Sequence, residues 1–351
     1  MLRVSLRHRV PDLEVDFEAP GGITALFGPS GAGKTSVLRA VAGLLTPEQG
    51  RIEAGALLFD RGARVNLPAH RRRIGYVFQE PRLFPHLTVA QNLRYGARYA
   101  VPGTAPSEAR LIELLGLGSL MARGIAGLSG GEAQRVAIGR AILSGARLLA
   151  LDEPMAALDA PRRAEIMAYL EALRDETGLP MLLVSHALEE VIRLASTLVL
   201  MEGGRVQRAG PLAELLADPG LVPAFGVREA GALLDVVVTG RDPDGLMRVQ
   251  AKAGPLWLSH GPAVGAALRL RVRASDVTLA VARPDGLSAL NILPATVTRV
   301  LTDAEGPGGT VLLDCAGAAL MARVTVRSVA ALDLVPGRAV WAVIKALSVA
   351  A

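Results

Sequence analysis

The sequence predicts an α/β core with an antiparallel β subdomain and a helical lobe, followed by a small all-β domain of OB-like barrel type. Three observations carry this expectation. The apolar run Ile23 to Phe27 leads into the glycine-rich stretch GPSGAGKTS, Gly28 to Ser36, and a helical pattern runs on from Thr35 to Leu45. RLLALDEP, Arg147 to Pro154, and PMLLVSH, Pro180 to His186, are further short apolar runs that alternate with helical patterns and end in polar residues. Beyond residue 230 the pattern changes to period two, with Gly and Pro turns between the segments.

A length of 351 residues suits roughly two domains. Half of the chain is apolar, at 51%, so each domain can bury a core. No apolar segment approaches the ~18 uncharged residues that cross a bilayer, and MLRVSLRHRVPDLEVDF at the start lacks the apolar centre of a signal peptide. A single cysteine, Cys315, excludes an internal disulfide and fits a reducing compartment. The net charge of +5 is spread out and densest at Arg71 to Arg73. No basic stripe or aromatic platform accompanies it, so nucleic acid is not an expected partner.

In chain order, LRVSLRH and LEVDFEA alternate as antiparallel strands leading to the buried strand Ile23 to Phe27. TPEQG, Thr46 to Gly50, is a turn, and RIEAGALLFD reads as a hairpin around Gly55. Ile74 to Phe78 is a core strand running out at Gln79, where a polar residue can reach a ligand at the end of the sheet. Thr88 and Gln91 form a capping-box pattern, and a helical lobe is expected over about residues 88–140, interrupted by PGTAPS. LSGGEAQRVAIGRAI, Leu128 to Ile142, opens with a glycine turn capped by Ser129. Arg162 to Glu176 is helical, and LVLMEGGRVQRAG closes the first domain as a hairpin around Gly203 and Gly204. The segment PLAELLADPGLVPAFGVREAG marks the boundary, giving domains 1–228 and 229–351.

The glycine-rich stretch fits the phosphate-binding pattern G-x-x-x-x-G-K-[ST] at Gly28, Gly33, Lys34 and Thr35. Glycines let the backbone of Gly28, Pro29, Ser30, Gly31, Ala32 and Gly33 turn so that its N–H groups, which Pro29 alone lacks, face a phosphate, and the following helix points its positive end at the same place, with Ser36 in its first turn. Lys34 supplies a charge to the β and γ phosphates of a nucleoside triphosphate, and Thr35 offers its hydroxyl to Mg2+. Ser129, Gly130, Gly131 and Glu132 form a second positive helix end where phosphate can dock. Asp152 and Glu153 are adjacent at a strand's end, so their side chains diverge and they are not a matched acid–base dyad. Asp152 is the expected magnesium holder and Glu153 the residue that polarises an attacking water. An acidic pair in that position is often only a helix cap or a solvated loop; the phosphate loop upstream on the same expected sheet favours the catalytic reading. His186 stands at another strand's end, where its imidazole can bond a γ phosphate.

With Gly28 to Thr35, Gln79, LSGGE, LLALDE, AALD and His186 in this order, the first 228 residues resemble the nucleotide-binding subunit of an ATP-binding cassette transporter, a P-loop ATPase fold. The resemblance implies two copies packed head to tail, ATP lying between the phosphate loop of one and the LSGG turn of the other. It implies that Gln79 contacts the magnesium and reports to a membrane partner, that Glu153 is the general base, that His186 is the switch histidine and that Asp159 lies at the subunit contact. Arg82 to His86, with the helical lobe, would receive a permease. This chain departs from the family at Glu132, where many members have Gln, and at Ala156, where many have Ser. The early aromatic residue that stacks on adenine in the family is left unassigned, the region offering His8, Arg9 and Phe17 but no tyrosine.

In the last third, ALRLRVRASDVTLA resembles the accessory domain of importer ATPases, and SALNILPATV with VIKALSV resembles the molybdate-binding barrel of molybdate importers, over about residues 286–351. Molybdate is a tetrahedral dianion suited to N–H groups, a hydroxyl and an ammonium, and Ser288, Asn291 and Lys345 are the candidate ligands. Leu290 and Ala346 stand where some relatives have Arg and Ser. The resemblance as a whole implies a homodimeric ATPase on the cytoplasmic face of the inner membrane, bound to two copies of a permease and, through them, served by a periplasmic or surface molybdate-binding protein. Sulfate or tungstate as cargo, a soluble non-transport ATPase of the same family, and an oxyanion buffer are the alternatives.

Overall fold

The computed structural model describes residues 1–98, 100, 106–221, 225, 231–303 and 306–345. It divides into two compact units, Met1–Leu212 and Ala213–Ala351. The expected boundary at 228/229, most of PGTAPS and the end of VIKALSV lie outside the described residues.

In the first unit the strands are β1 (Leu2–Arg9), β2 (Asp12–Ala19), β3 (Ile23–Phe27), β4 (Gln49–Ala54), β5 (Leu57–Asp60), β6 (Val65–Asn66), β7 (Ile74–Val77), β8 (Leu148–Asp152), β9 (Met181–Val184), β10 (Thr197–Glu202) and β11 (Arg205–Pro211). They form one sheet in the order β6-β5-β4-β1-β2-β11-β10-β3-β9-β8-β7. From β10 to β7 the neighbours are parallel, while β6 to β2 form an antiparallel wing. Sequence pattern accounts for the division. β3, β8 and β9 are apolar or small at nearly every position and buried throughout, as strands covered on both faces must be. β1 and β2 alternate, with one face exposed. Because β3 lies between β10 and β9, the carboxyl ends of β3, β9, β8 and β7 come out side by side.

Helix α1 (Lys34–Ala42) follows β3 directly. Its far end is closed by Arg72, whose guanidinium is 4% exposed. Nη1 donates to the carbonyls of Ala40 at 2.7 Å and Val41 at 2.9 Å, Nε to Leu67 at 2.8 Å, and Nη2 to Asn66 Oδ1 at 3.0 Å. The densest basic run of the sequence is thus in part a buried cap on a helix C-terminus, where a cation complements the macrodipole. The helical lobe holds α2 (Val89–Ala97), α3 (Glu108–Leu114) and α4 (Gly130–Leu143). The capping box of Thr88 and Gln91 opens α2. Gly139 lets α2 and α4 approach closely, since a Cβ there would lie 2.6 Å from Leu93 Cδ2. Helices α5 (Ala160–Thr177) and α6 (Leu188–Leu194) complete the α/β layers.

The second unit is all β apart from short helical turns. One antiparallel sheet has the order β14-β13-β12-β15, from β12 (Gly231–Arg241), β13 (Met247–Ala251), β14 (Gly254–Leu258) and β15 (Ala267–Arg273). The other has the order β16-β20-β17-β18-β19, from β16 (Val277–Ala280), β17 (Asn291–Thr302), β18 (Gly308–Cys315), β19 (Ala318–Thr325) and β20 (Ala339–Ile344). Val236, Val249 and Leu270 of the first share a single core with Leu293, Val311 and Ile344 of the second. Bulges at Val238/Gly240 and Val297/Arg299 bend two of the longest strands over it. Asn291 is fully buried between the sheets. Its Oδ1 accepts from the Trp257 N–H at 2.7 Å and its Nδ2 donates to the Trp257 carbonyl at 3.1 Å, as a paired strand would. The expectation that Asn291 holds an oxyanion is therefore corrected: burial and the bonds to Trp257 make it a structural bridge.

Candidate active site

Where β3 ends, the backbone needs glycine. At Gly28 a Cβ would sit 2.0 Å from the Met201 carbonyl oxygen, and Gly33, at φ 91°, presses against Leu13. Gly33 is the N-cap of α1 and offers no side chain to the first-turn N–H groups, which leaves them for an anion. Pro29, Ser30 and Gly31 are exposed, and Ala32 is buried beneath them. Lys34 is 5% exposed and its Nζ donates to the carbonyls of Gly28 and Pro29, both at 2.8 Å. Burial lowers its pKa, and the charges of Glu153 and Asp152 oppose that shift. Its ammonium is thus under-solvated and close to two carboxylates, and a phosphate would supply the missing countercharge.

Asp152, at the end of β8, is 6% exposed. The Thr35 hydroxyl donates to its Oδ1 and the Tyr76 hydroxyl to its Oδ2, each at 2.7 Å. Thr35 and Asp152 are hard oxygen donors in contact, a pair that fits Mg2+, which binds through one or two protein oxygens together with substrate phosphates and water. Among the described residues no cluster of three His, Cys, Asp or Glu could cage a metal alone. Phosphate oxygens would have to complete the coordination.

Glu153 follows with φ 47°, a left-handed backbone unusual for a residue with a side chain. Its N–H donates to the Val184 carbonyl at 3.1 Å, which ties it to the end of β9. This reversal turns its carboxylate away from Asp152 and brings Oε2 within 3.3 Å of His186 Nδ1. His186 is carried on a braced turn. The Ala187 N–H donates to Ser185 Oγ at 3.0 Å, and that hydroxyl donates to Glu190 Oε2 at 2.6 Å. Glu190 is 5% exposed, and burial raises its pKa. Arg163 Nε lies 3.4 Å from its other oxygen, and Arg163 Nη2 donates to the Leu158 carbonyl at 3.2 Å, next to Asp159, the N-cap of α5.

The structure thus brings together Lys34, Thr35, Asp152, Glu153 and His186 at adjacent strand ends, and leaves Gln79 exposed just beyond β7. Ser129, Gly130, Gly131 and Glu132 start α4 and share no hydrogen bond or ion pair with Gly28–Ser36 among the described residues. They form a full capping box: Ser129 Oγ accepts from the Glu132 N–H at 3.3 Å and Glu132 Oε2 from the Ser129 N–H at 2.7 Å. The donors left for phosphate are the Gly130 and Gly131 N–H groups and the serine hydroxyl, because the first helical bond is Ala133 N–H to Ser129 O. The Ser129 N–H, expected to be free, is taken by Glu132, whose pKa these bonds lower. Sequence reasoning missed Tyr76, Ser185, Glu190 and Arg163. Tyr76 alone left a signal, a phenol inside an otherwise apolar strand. Ser288 and Lys345 are exposed, at the same end of β17 and β20, where Asn291 pairs with Ile344.

Comparison with known proteins agrees with this geometry. Residues 12–156 match the ABC transporter family and residues 287–351 the TOBE domain. The chain is 47% identical to the molybdenum import ATP-binding protein ModC of Mesorhizobium japonicum, over 99% of this chain and 95% of that one. It is 47% identical to that of Rhizobium meliloti, over 99% of both. Among solved structures it resembles the bacterial ABC transporter cassette MJ0796, determined as a dimer, at 25% identity and a TM-score of 0.50 over 60% of this chain and 99% of that one. It also resembles cbiO1 of Clostridium perfringens, at 26% identity and a TM-score of 0.53 over 65% and 94%. With the phosphate loop, the carboxylate pair and the histidine assembled at the strand ends and near half of all residues shared over the whole length, the chain belongs to the ATP-hydrolysing proteins of the ABC transporter family, in the group of molybdenum import ATP-binding proteins.

Proposed function

We propose that this chain hydrolyses ATP as a homodimer bound to two copies of a membrane permease, at the cytoplasmic face of the inner membrane, and so drives molybdate uptake from an extracytoplasmic binding protein. The observation that carries the reading is the meeting of Lys34, Thr35, Asp152, Glu153 and His186 at neighbouring strand ends. Full-length relatives named for molybdenum import support the cargo. Among the described residues no helix is long and apolar enough to cross a membrane, so transport would depend on a partner chain.

In this reading Gly28 to Ser36 wrap the phosphates, and Lys34 exchanges its two carbonyl partners for the β and γ oxygens. Thr35, Asp152 and Gln79 would hold Mg2+, which neutralises developing phosphate charge. Glu153 orients and deprotonates the attacking water, and His186 both fixes the Glu153 carboxylate and donates to the γ phosphate. Ser129 to Gly131 supply the second half of the site to the partner's nucleotide, so that ATP stabilises the closed pair and hydrolysis releases it. The Arg163–Glu190–Ser185 brace links the turn before Asp159 to His186. Arrival of the second subunit at Asp159 would therefore bear on the catalytic histidine. Ser288 and Lys345 remain the candidates for a regulatory oxyanion site.

The test is ATP-dependent uptake of labelled molybdate into proteoliposomes holding this chain with its permease. Uptake competed by tungstate and weakly by sulfate is expected. Uptake of sulfate with equal efficiency would reassign the cargo, and failure to bind any permease would favour a soluble ATPase of the same family.

A further inference from the structure

We propose that Tyr76 is a positioning residue for the magnesium site: its hydroxyl fixes the Asp152 carboxylate and so sets how tightly a divalent cation is held beside Thr35. This rests on the assignment of Thr35 and Asp152 to the metal made above.

The buried Asp152 carboxylate has two oxygens and two donors. Thr35 reaches Oδ1 and Tyr76 reaches Oδ2, both at 2.7 Å. By giving its proton to Asp152, Thr35 turns its oxygen lone pairs outward, as a hydroxyl must to bind a cation. That orientation holds only while the carboxylate stays still, and Tyr76 is what stops it rotating about χ2. The phenol is itself held in place. Its ring packs on Phe78 with centroids 4.4 Å apart. The result is a chain of contacts, Phe78 against Tyr76 with Tyr76 and Thr35 both donating to Asp152, that orders the site before any ligand arrives. A tyrosine kept only for packing would need none of these bonds.

The experiment uses the full-length protein with a non-hydrolysable ATP analogue and Mn2+ as the probe, free ion being read by its electron paramagnetic resonance signal. Tyr76→Phe keeps the ring and removes one bond to a charged group, so the Mn2+ half-saturation should rise about tenfold. Binding of a fluorescent ATP analogue in EDTA, and thermal unfolding without ligand, should match the wild type. Phe78→Leu leaves the phenol in place but loosens the packing that holds its ring, and should shift Mn2+ binding the same way by about threefold, which carries the test should Tyr76→Phe fold poorly. Asp152→Asn is the reference for losing the metal ligand. If it weakens Mn2+ binding while Tyr76→Phe and Phe78→Leu do not, the role of Tyr76 is overturned and the metal site stands. If none of the three changes Mn2+ binding, the metal assignment falls with it. Equal loss of metal-free nucleotide binding in Tyr76→Phe would make the residue structural and also overturn the proposal.

Discussion

Replacing Glu153 by glutamine separates nucleotide binding from turnover. The change is isosteric, so the left-handed turn at φ 47° and the bond from its N–H to Val184 survive. In the proposed mechanism the anionic base is lost. A general base contributes about 10²–10⁴-fold, so turnover should fall by that factor, equivalent to about 3–5 kcal/mol of barrier. Affinity should move the other way. The charge of Glu153 acts on Lys34, opposing the lowering of its pKa by burial, so it also faces the phosphates. Two charges about 5 Å apart at an effective dielectric near 20 repel by about 3 kcal/mol. The side chain is 24% exposed, and solvent and counterions bring this nearer to 1 kcal/mol, or about fivefold tighter ATP. Phosphate release, titration with a fluorescent ATP analogue and light scattering for the dimer measure the three consequences. Turnover above about a tenth of wild type, or a loss of ATP affinity, would refute the reasoning.

Two further substitutions probe the framework. Arg72→Met strands the carbonyls of Ala40, Val41 and Leu67 in a buried setting and should destabilise the first unit by about 3 kcal/mol, lowering its Tm by about 6–12 °C in calorimetry; an unchanged Tm would mean that water replaces the guanidinium. Asn291→Ala unpairs both backbone groups of Trp257 and should cost the second unit about 2–5 kcal/mol, while molybdate titration of the folded protein stays as in wild type. Lost molybdate binding at unaltered stability would restore Asn291 as a ligand.

What the sequence disclosed is what a short stretch can encode. The strand before Gly28, the helix after it and the caps at Thr88 and Ser129 depend on residues within a few positions, and they stand where the pattern puts them. Long-range pairing was not legible. Tyr76 meets Asp152 across 76 positions, and Arg72 meets Val41 across 31, so a phenol looked like filling and a guanidinium like surface charge. Asn291 shows the converse error: an amide in a family-like segment suggested a ligand, yet nothing local shows that Trp257, 34 residues earlier, takes both its ends. The side of β8 that each carboxylate serves was legible from alternation alone, but the left-handed turn that sends Glu153 to His186 was not.

The Asn291 bridge also bears on where the C-terminal module begins. The stretch matching the TOBE domain starts at residue 287, whereas its core and its buried amide reach back into the sheet that opens at Gly231. A chain cut between those points would expose half a core and orphan Trp257. Ser288 and Lys345 thus flank the strand ends at which this one amide ties the two sheets together.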